Sequence, residues 1–168
     1  DRRILTSIYI EPVDEEVTNL RLLNRWRTIQ ANEVRYKEYF LDDADIVIVG
    51  FGTAGRIALS AVREARAEGI KVGLLRPITV SPFPYEVIDQ LAGRAGSCLV
   101  TEMNSGQMLE DVRLAVRGRV PVEFYGRLGG MVPFPNEILG EIRRMAKSKA
   151  RMDVLARDAL LDRMASIV

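Results

Sequence analysis

The segment ADIVIVGFGTAG, residues 44–55, joins a continuous apolar run to a glycine-rich turn. The apolar part, Ala44–Gly50, is typical of a β-strand that is buried on both faces. Successive apolar runs follow at centre-to-centre steps of 24 to 26 residues: Lys71–Leu75, Ser97–Thr101 and Val120–Tyr125. This step is the length of one strand, one helix and a connecting loop. The rhythm therefore predicts four buried strands joined by helical crossovers.

The segments between the runs have apolar residues at helical spacing. The clearest stripe, at i, i+3, i+4, i+7, i+8 and i+11, consists of Ala54, Ile57, Ala58, Ala61, Val62 and Ala65. Similar spacing predicts helices over residues 84–95, 107–117 and 136–147. Strands that alternate with helices at this spacing indicate an α/β fold, in which a parallel sheet carries helices on both faces.

The flanks differ from this central unit. Residues 13–32 have a helical, polar-rich pattern, and Arg35–Leu41 alternates like an edge strand. Only Asp42 and Asp43 lie between that strand and the next, which is too short for a parallel crossover, so we expect antiparallel pairing. Met152, Leu155 and Ala156 begin a pattern that predicts a terminal helix. We therefore expect an N-terminal helical linker (1–33), an α/β domain (34–146) and a C-terminal helix (147–168).

The composition excludes several kinds of chemistry. The chain has 168 residues, no histidine and one cysteine, so it contains no catalytic triad with histidine, no internal disulfide and no self-contained iron–sulfur site. Cys98 lies in an apolar strand and is expected to be a core residue. The net charge of +1 argues against a nucleic-acid partner, and the basic residues from Arg143 to Arg151 are expected to form a solvated face. No apolar run is long enough to span a membrane, and we expect a cytoplasmic protein.

The glycine turn allows two interpretations. Gly50, Gly52 and Gly55 match the dinucleotide-binding pattern G-x-G-x-x-G, and they lie between a strand and a helix as that pattern requires. The next strand, however, ends in Arg76-Pro77 and not in the carboxylate that would bind a ribose hydroxyl. A tight strand-to-helix turn without a ligand is therefore favoured, and a stand-alone nucleotide-binding module remains the alternative.

Polar residues follow two of the later strands. Glu102, Asn104 and Gln107 lie after the third buried run, and Arg127 lies among glycines after the fourth. The carboxyl ends of parallel strands are where ligands of open α/β sheets bind, so we expect these four residues to contact a ligand or a subunit. The competing interpretation is structural: Asn104 or Ser105 caps a helix, Glu102 is solvated, and Arg127 belongs to a shaped loop.

Several motifs occur in the order that is found in one enzyme family. They resemble the C-terminal part of the alpha subunit of 2-oxoacid:ferredoxin oxidoreductases, with the 2-oxoglutarate and branched-chain enzymes most similar. The resemblance covers residues 34–146 and is carried by Val34–Phe40, Asp45–Val49 with Gly52-Thr53, Gly73–Thr79, Pro82–Pro84, Glu102–Met108, Glu110–Arg113, and Gly126-Arg127 with Gly129–Met131.

The resemblance implies a fold similar to the transketolase C-terminal domain: three layers, α/β/α, with a mostly parallel five-stranded sheet and one antiparallel edge strand. It also implies a complex that decarboxylates a 2-oxoacid oxidatively to an acyl-CoA and reduces ferredoxin. Thiamine diphosphate, magnesium, iron–sulfur clusters and coenzyme A are implied for the whole complex, with none bound by this segment alone.

The implied partners are an N-terminal pyrimidine-binding domain of the alpha subunit, for which 168 residues leave no room, a beta subunit that holds thiamine diphosphate, and gamma and ferredoxin-like subunits. This segment would then serve assembly, without catalytic residues of its own. A partner-docking domain outside any enzyme is a further alternative.

Overall fold

Four parallel strands and one antiparallel edge strand form the central sheet of the computed structural model, which describes residues 8–147 and 155–165. The strands, in the spatial order β1-β3-β2-β4-β5, are β1 (Tyr36–Tyr39), β2 (Ile46–Gly50), β3 (Val72–Pro77), β4 (Ser97–Glu102) and β5 (Val122–Gly126). The helices are α1 (Pro12–Glu33), α2 (Gly52–Ala67), α3 (Tyr85–Ala92), α4 (Gln107–Val116), α5 (Pro135–Lys147) and α6 (Ala156–Ala165).

The edge strand β1 pairs antiparallel with β3, and Tyr36 lies opposite Pro77. This confirms the orientation that the short Asp42-Asp43 connection predicts. The chain leaves β1 through Phe40 and passes directly over Gly73, where an added Cβ would lie 2.5 Å from the Phe40 carbonyl oxygen. Because Gly73 has no side chain, the segment that connects β1 to β2 can pass against β3 at this point.

Helices cover both faces of the sheet, so the predicted three-layer α/β/α architecture is confirmed. On one face, α2 and α5 pack on a cluster that includes Ile48, Leu74, Leu99, Val62 and Ile138. On the other face, the apolar side chains of α3 and α4, among them Leu109 and Val112 of α4, join a second cluster with the alternate strand residues Val47, Val49 and Val100. Because side chains alternate along a strand, each buried strand serves both clusters.

The predicted helices are present, with small differences at their ends. α3 ends at Ala92 and not at residue 95, because the N–H groups of Gly93 and Arg94 bond the Gln90 and Leu91 carbonyls and close the last turn. α2 begins at Gly52, before the first residue of the predicted apolar stripe. No helix within residues 8–147 and 155–165 is long and apolar enough to cross a membrane.

The flanking helices differ in how they pack. None of the residues 12–33, all of which the structure describes, is buried, although Gln30 and Ala31 at the end of α1 line a cavity with Phe83 and Tyr85. By contrast, α6 contacts β5, and its Ala156 joins the cluster beneath α4. Met152 lies outside the described residues.

The basic face predicted at the end of α5 is only partly solvated. Arg144 forms an ion pair with Glu123, whose side chain is 6% exposed, and Arg143 pairs with Glu68 of α2 at the surface. Glu123 lies on β5 beneath α5, so a buried carboxylate draws Arg144 inward. The prediction of a solvated face is therefore wrong for Arg144. Lys149 and Arg151 lie outside the described residues.

Candidate functional site at the carboxyl edge of the sheet

The carboxyl ends of β2 and β4 lie side by side at the centre of the sheet. The chain leaves β2 through α2 toward β3, on one side, and leaves β4 through α4 toward β5, on the other side. Such a reversal of strand order is the topological switch point at which open α/β sheets bind their ligands. The loops after β2, β4 and β5 therefore define the candidate site.

Glu102 is the last residue of β4 and is fully buried. Its carboxylate oxygens accept hydrogen bonds from the backbone N–H groups of Met108 at 2.9 Å and Leu109 at 3.0 Å. These groups belong to the first turn of α4, whose N-terminal end carries partial positive charge. The expectation of a solvated Glu102 is therefore wrong, because backbone donors replace water around its carboxylate.

Asn104 lies in the loop just before α4 and binds the backbone at the start of that helix. Its side-chain oxygen accepts hydrogen bonds from the N–H groups of Gly106 at 2.8 Å and Gln107 at 3.0 Å. The N-cap residue of α4 is Gly106, so neither Asn104 nor Ser105 is the N-cap that one interpretation expected, although Asn104 does satisfy the N–H of Gln107 at the start of the helix. Gly106 adopts a φ of +101°, and an added Cβ there would lie 2.7 Å from the Cβ of Ala156 in α6. Gln107, the first residue of α4, is exposed.

Arg127 follows β5 and lies mostly below the surface, with 14% of its side chain exposed. It forms an ion pair with Glu137 in the first turn of α5, and Glu137 also accepts a hydrogen bond from the N–H of Phe134 at 2.8 Å. The backbone N–H of Arg127 donates to the Glu102 carbonyl at 3.2 Å. The structure thus joins Arg127 to Glu102 through the backbone, while the Arg127 side chain binds a carboxylate of its own chain.

The glycine turn after β2 is formed as predicted, and the contacts around it explain two of its glycines. An added Cβ at Gly55 would lie 2.4 Å from the Gly50 carbonyl oxygen, and one at Gly50 would lie 2.8 Å from Cγ2 of Thr101. Close packing of α2 on β2 and β4 therefore requires both glycines without any ligand. The Cγ of Arg76 would lie 3.1 Å from a Cβ added at Gly55, and within the described residues the Nε of Arg76 has no hydrogen-bond partner.

Two contacts near the edge were not predicted. Arg163 of α6 lies over the Tyr125 ring, 5.1 Å from its centroid, and donates to the Gly126 carbonyl. Tyr85 donates a hydrogen bond to Asp111 and joins α3 to α4. That bond, together with burial and the Asp111 charge, raises the pKa of Tyr85 to about 12. Both contacts link residues far apart in the chain, so no local pattern indicates them.

Cys98 is confirmed as a core residue. Burial raises the pKa of its thiol to about 12. The thiol is therefore protonated at neutral pH and is a poor nucleophile.

A family profile described as pyruvate:ferredoxin oxidoreductase core domain II matches residues 44–138. The chain belongs to this family. The matched region runs from the start of β2 into α5, so it contains the whole candidate site.

Curated relatives agree with this family. The chain is 46% identical to the ketoisovalerate oxidoreductase subunit VorB of Methanothermobacter thermautotrophicus over 145 residues, which are 86% of this chain and 41% of the relative. It is 38% identical to the 2-oxoglutarate synthase subunit KorA of Methanothermobacter marburgensis over 104 residues, which are 62% of this chain and 28% of the relative. The chain thus spans less than half the length of these relatives.

Solved structures share the fold. One is a 2-oxoglutarate:ferredoxin oxidoreductase from Magnetococcus marinus, with a TM-score of 0.69, 20% identity, and coverage of 82% of this chain and 24% of that chain. A second is a split-gene transketolase, with a TM-score of 0.58, 18% identity, and coverage of 67% of this chain and 41% of that chain. The prediction of a transketolase C-terminal-like fold is confirmed, and the comparisons do not favour the nucleotide-binding alternative.

Proposed function

We propose that this chain forms part of a 2-oxoacid:ferredoxin oxidoreductase that acts on a branched-chain 2-oxoacid. The observation that carries the proposal is the 46% identity to a ketoisovalerate oxidoreductase subunit over 145 residues. The complex would break the bond between C1 and C2 of the 2-oxoacid, release C1 as carbon dioxide and form a thioester between C2 and the sulfur of coenzyme A, whose thiol proton is released. The two electrons released would reduce ferredoxin.

Within that complex, we propose that this segment serves assembly and does not carry the chemistry. An iron–sulfur cluster needs several thiolates, and the single cysteine here is buried, so these residues do not fit a cluster. Within the part of the chain that the structure describes, no group of histidine, cysteine and carboxylate side chains is arranged to hold a metal ion. Magnesium and the clusters would therefore be bound by other parts of the complex, and we propose the same for thiamine diphosphate and coenzyme A.

The partners in this proposal are a pyrimidine-binding domain of the alpha subunit, a thiamine diphosphate-binding beta subunit, and gamma and ferredoxin-like subunits, all in the cytoplasm. The division at residues 33 and 146 belongs to the same proposal. At the carboxyl edge, Gln107 and the loop that begins at Arg127 would contact a neighbouring domain or subunit. Glu102 and Asn104 would act indirectly, because their bonds to the α4 turn set the shape of that surface.

The proposal is tested by co-expressing the full-length gene with its neighbouring genes and purifying the complex without oxygen. Reduction of methyl viologen is then measured with 3-methyl-2-oxobutanoate, 2-oxoglutarate or pyruvate, each with and without coenzyme A. We expect the highest kcat/KM for the branched-chain acid and strict dependence on coenzyme A. An assembled complex that prefers 2-oxoglutarate would contradict the substrate class, and one inactive on all three acids would contradict the enzyme class.

A further inference from the structure

An exposed apolar residue follows the end of each of the three central strands of the sheet. Ile78 follows β3, Phe51 follows β2 and Met103 follows β4, and their exposed fractions are 53%, 36% and 37%. Because these strands are parallel neighbours, the three residues lie at the same edge of the sheet. Leu128, in the loop after β5, continues the row and is 47% exposed. A row of exposed apolar residues of this kind marks a surface that contacts another molecule.

Arg76 lies at the β3 end of this row, two residues before Ile78. The residue is half-buried, and its Nε is shielded from water and has no hydrogen-bond partner among the described residues. None of the ion pairs within residues 8–147 and 155–165 includes Arg76. A buried N–H that bonds neither water nor protein costs free energy, which an acceptor from outside this chain would recover.

The surroundings of Arg76 add positive charge and no acidic partner. Lys37 of β1 lies directly opposite Arg76, so two cations share one cross-strand position. Glu38, the next residue, alternates to the other face of the sheet, and Glu33 pairs with Arg35 at 2.9 Å. The first turn of α2, which packs beside Arg76, carries no acidic residue. The charge at this end of the row is therefore complementary to a carboxylate.

We propose that this edge binds an apolar segment from another part of the complex, and that an aspartate or glutamate of that segment forms an ion pair with Arg76. The inference rests on the proposed function, because it names the chemistry of a contact that serves assembly. A protein segment fits the surface better than a free anion does. The apolar row extends from β3 to β5, about 14 Å, whereas an ion would cover Arg76 alone.

Zero-length cross-linking tests the contact in the complex purified from the full-length gene and its neighbours. In Arg76→Lys, a carbodiimide couples the introduced amine to a carboxylate that touches it, and the carbodiimide leaves as its urea. Peptide mass spectrometry then locates the new amide bond. We expect a cross-link to an aspartate or glutamate outside these 168 residues. Arg63→Lys, at an exposed position of α2, is the control and should not give that cross-link.

Charge reversal separates a direct contact from a merely structural effect. We expect Arg76→Glu to speed hydrogen exchange in the peptides that contain Phe51 and Ile78 about tenfold, because a charge-assisted hydrogen bond is lost. Replacing the cross-linked carboxylate with arginine should restore slow exchange in the Arg76→Glu complex. Ile78→Asp should act like Arg76→Glu. Leu114→Asp, at the far end of α4 where the side chain is 66% exposed, should leave the exchange unchanged.

The proposal is overturned if Arg76→Lys gives no cross-link or one confined to the 168 residues, or if the second charge reversal does not restore slow exchange. It is also overturned if millimolar phosphate, and not a protein segment, slows the exchange around Phe51, since the occupant would then be a free anion. None of these readouts needs turnover. A complex that is active on 2-oxoacids without the cross-link therefore contradicts this inference alone, and a cross-linked but inactive complex contradicts the enzyme class alone.

Discussion

The carboxylate of Glu102 accepts a hydrogen bond from the backbone N–H of Met108 at 2.9 Å inside the protein, although the loop between the two residues is largely exposed. A second bond from Leu109 completes the contact. The end of β4 and the start of α4 are thus held together by one side chain, next to the switch point of the sheet.

Replacing Glu102 with glutamine should destabilise the fold. The amide can accept a hydrogen bond through one atom, but its NH₂ group would face a second backbone donor and leave it unsatisfied. We expect a loss of about 2 kcal/mol in the free energy of unfolding, measured by urea denaturation. Glu110→Gln is the matched control, because Glu110 lies on the same helix with 73% of its side chain exposed, and it should change little. Equal effects of the two changes would show that the buried bonds do not hold the α4 turn.

Two Gly→Ala changes should alter the free energy of unfolding in opposite directions. At Gly55 the new methyl group would lie 2.4 Å from a backbone oxygen that cannot move aside, so we expect about 3 kcal/mol of destabilisation. At Gly140, inside α5, an added Cβ meets no heavy atom within 4 Å. There alanine should stabilise the protein by about 0.5–1 kcal/mol through its better helix propensity.

Urea denaturation of both alanine variants compares them directly. The free energies of unfolding are measured without any added ligand. A loss in Gly55→Ala under these conditions would show that packing alone requires glycine at this turn. A Gly55→Ala protein as stable as the wild type would contradict the packing explanation, and a ligand-binding role for this turn would then be the remaining explanation for Gly55.

The local sequence pattern was sufficient to predict the buried strands and the helices that pack on them. The apolar run at Ile46–Gly50 is continuous, as a strand buried on both faces requires, and the stripe through Ala58 and Val62 repeats at the helical period; both are buried as expected. The antiparallel edge strand followed from the length of one short connection. Each of these inferences uses residues that are neighbours in the chain, where spacing and structure are directly related.

The candidate site was harder to predict, because its contacts depend on tertiary structure. A glutamate followed by asparagine and serine is usually solvated, and only the position of α4 over the end of β4 makes Glu102 a buried acceptor. The contact between Arg163 and Gly126 spans 37 residues and requires α6 to pack beside β5. Identifying the four polar residues was therefore possible from sequence, whereas their partners were not.

Tyr85 should give a distinct signal in a pH titration. Its hydrogen bond to Asp111 favours the neutral phenol and raises its pKa from 10.0 to about 12. Because the folded pKa lies above the unfolded one, the stability from this group is fully present below pH 10 and is lost as the pH rises toward 12. Absorbance at the phenolate band should show a late ionisation step from Tyr85, and Tyr85→Phe should remove that step. Tyr36→Phe is the control and should leave it; a late step that survives Tyr85→Phe would disprove the assignment.

Neighbouring arginines on α5 should differ sharply when each is replaced by alanine. Arg144 lies beside Glu123, whose side chain is 6% exposed, whereas Arg143 pairs with Glu68 at the surface, where water already solvates both groups. Removing Arg144 takes the cation away from a buried carboxylate, and we expect a loss of about 2 kcal/mol. Arg143→Ala should have a clearly smaller effect, which added salt would reduce further. Urea denaturation at low and high salt separates the two cases. Equal, salt-sensitive losses in both variants would mean that Arg144 acts as an ordinary surface charge and that α5 is held on β5 by its apolar face alone.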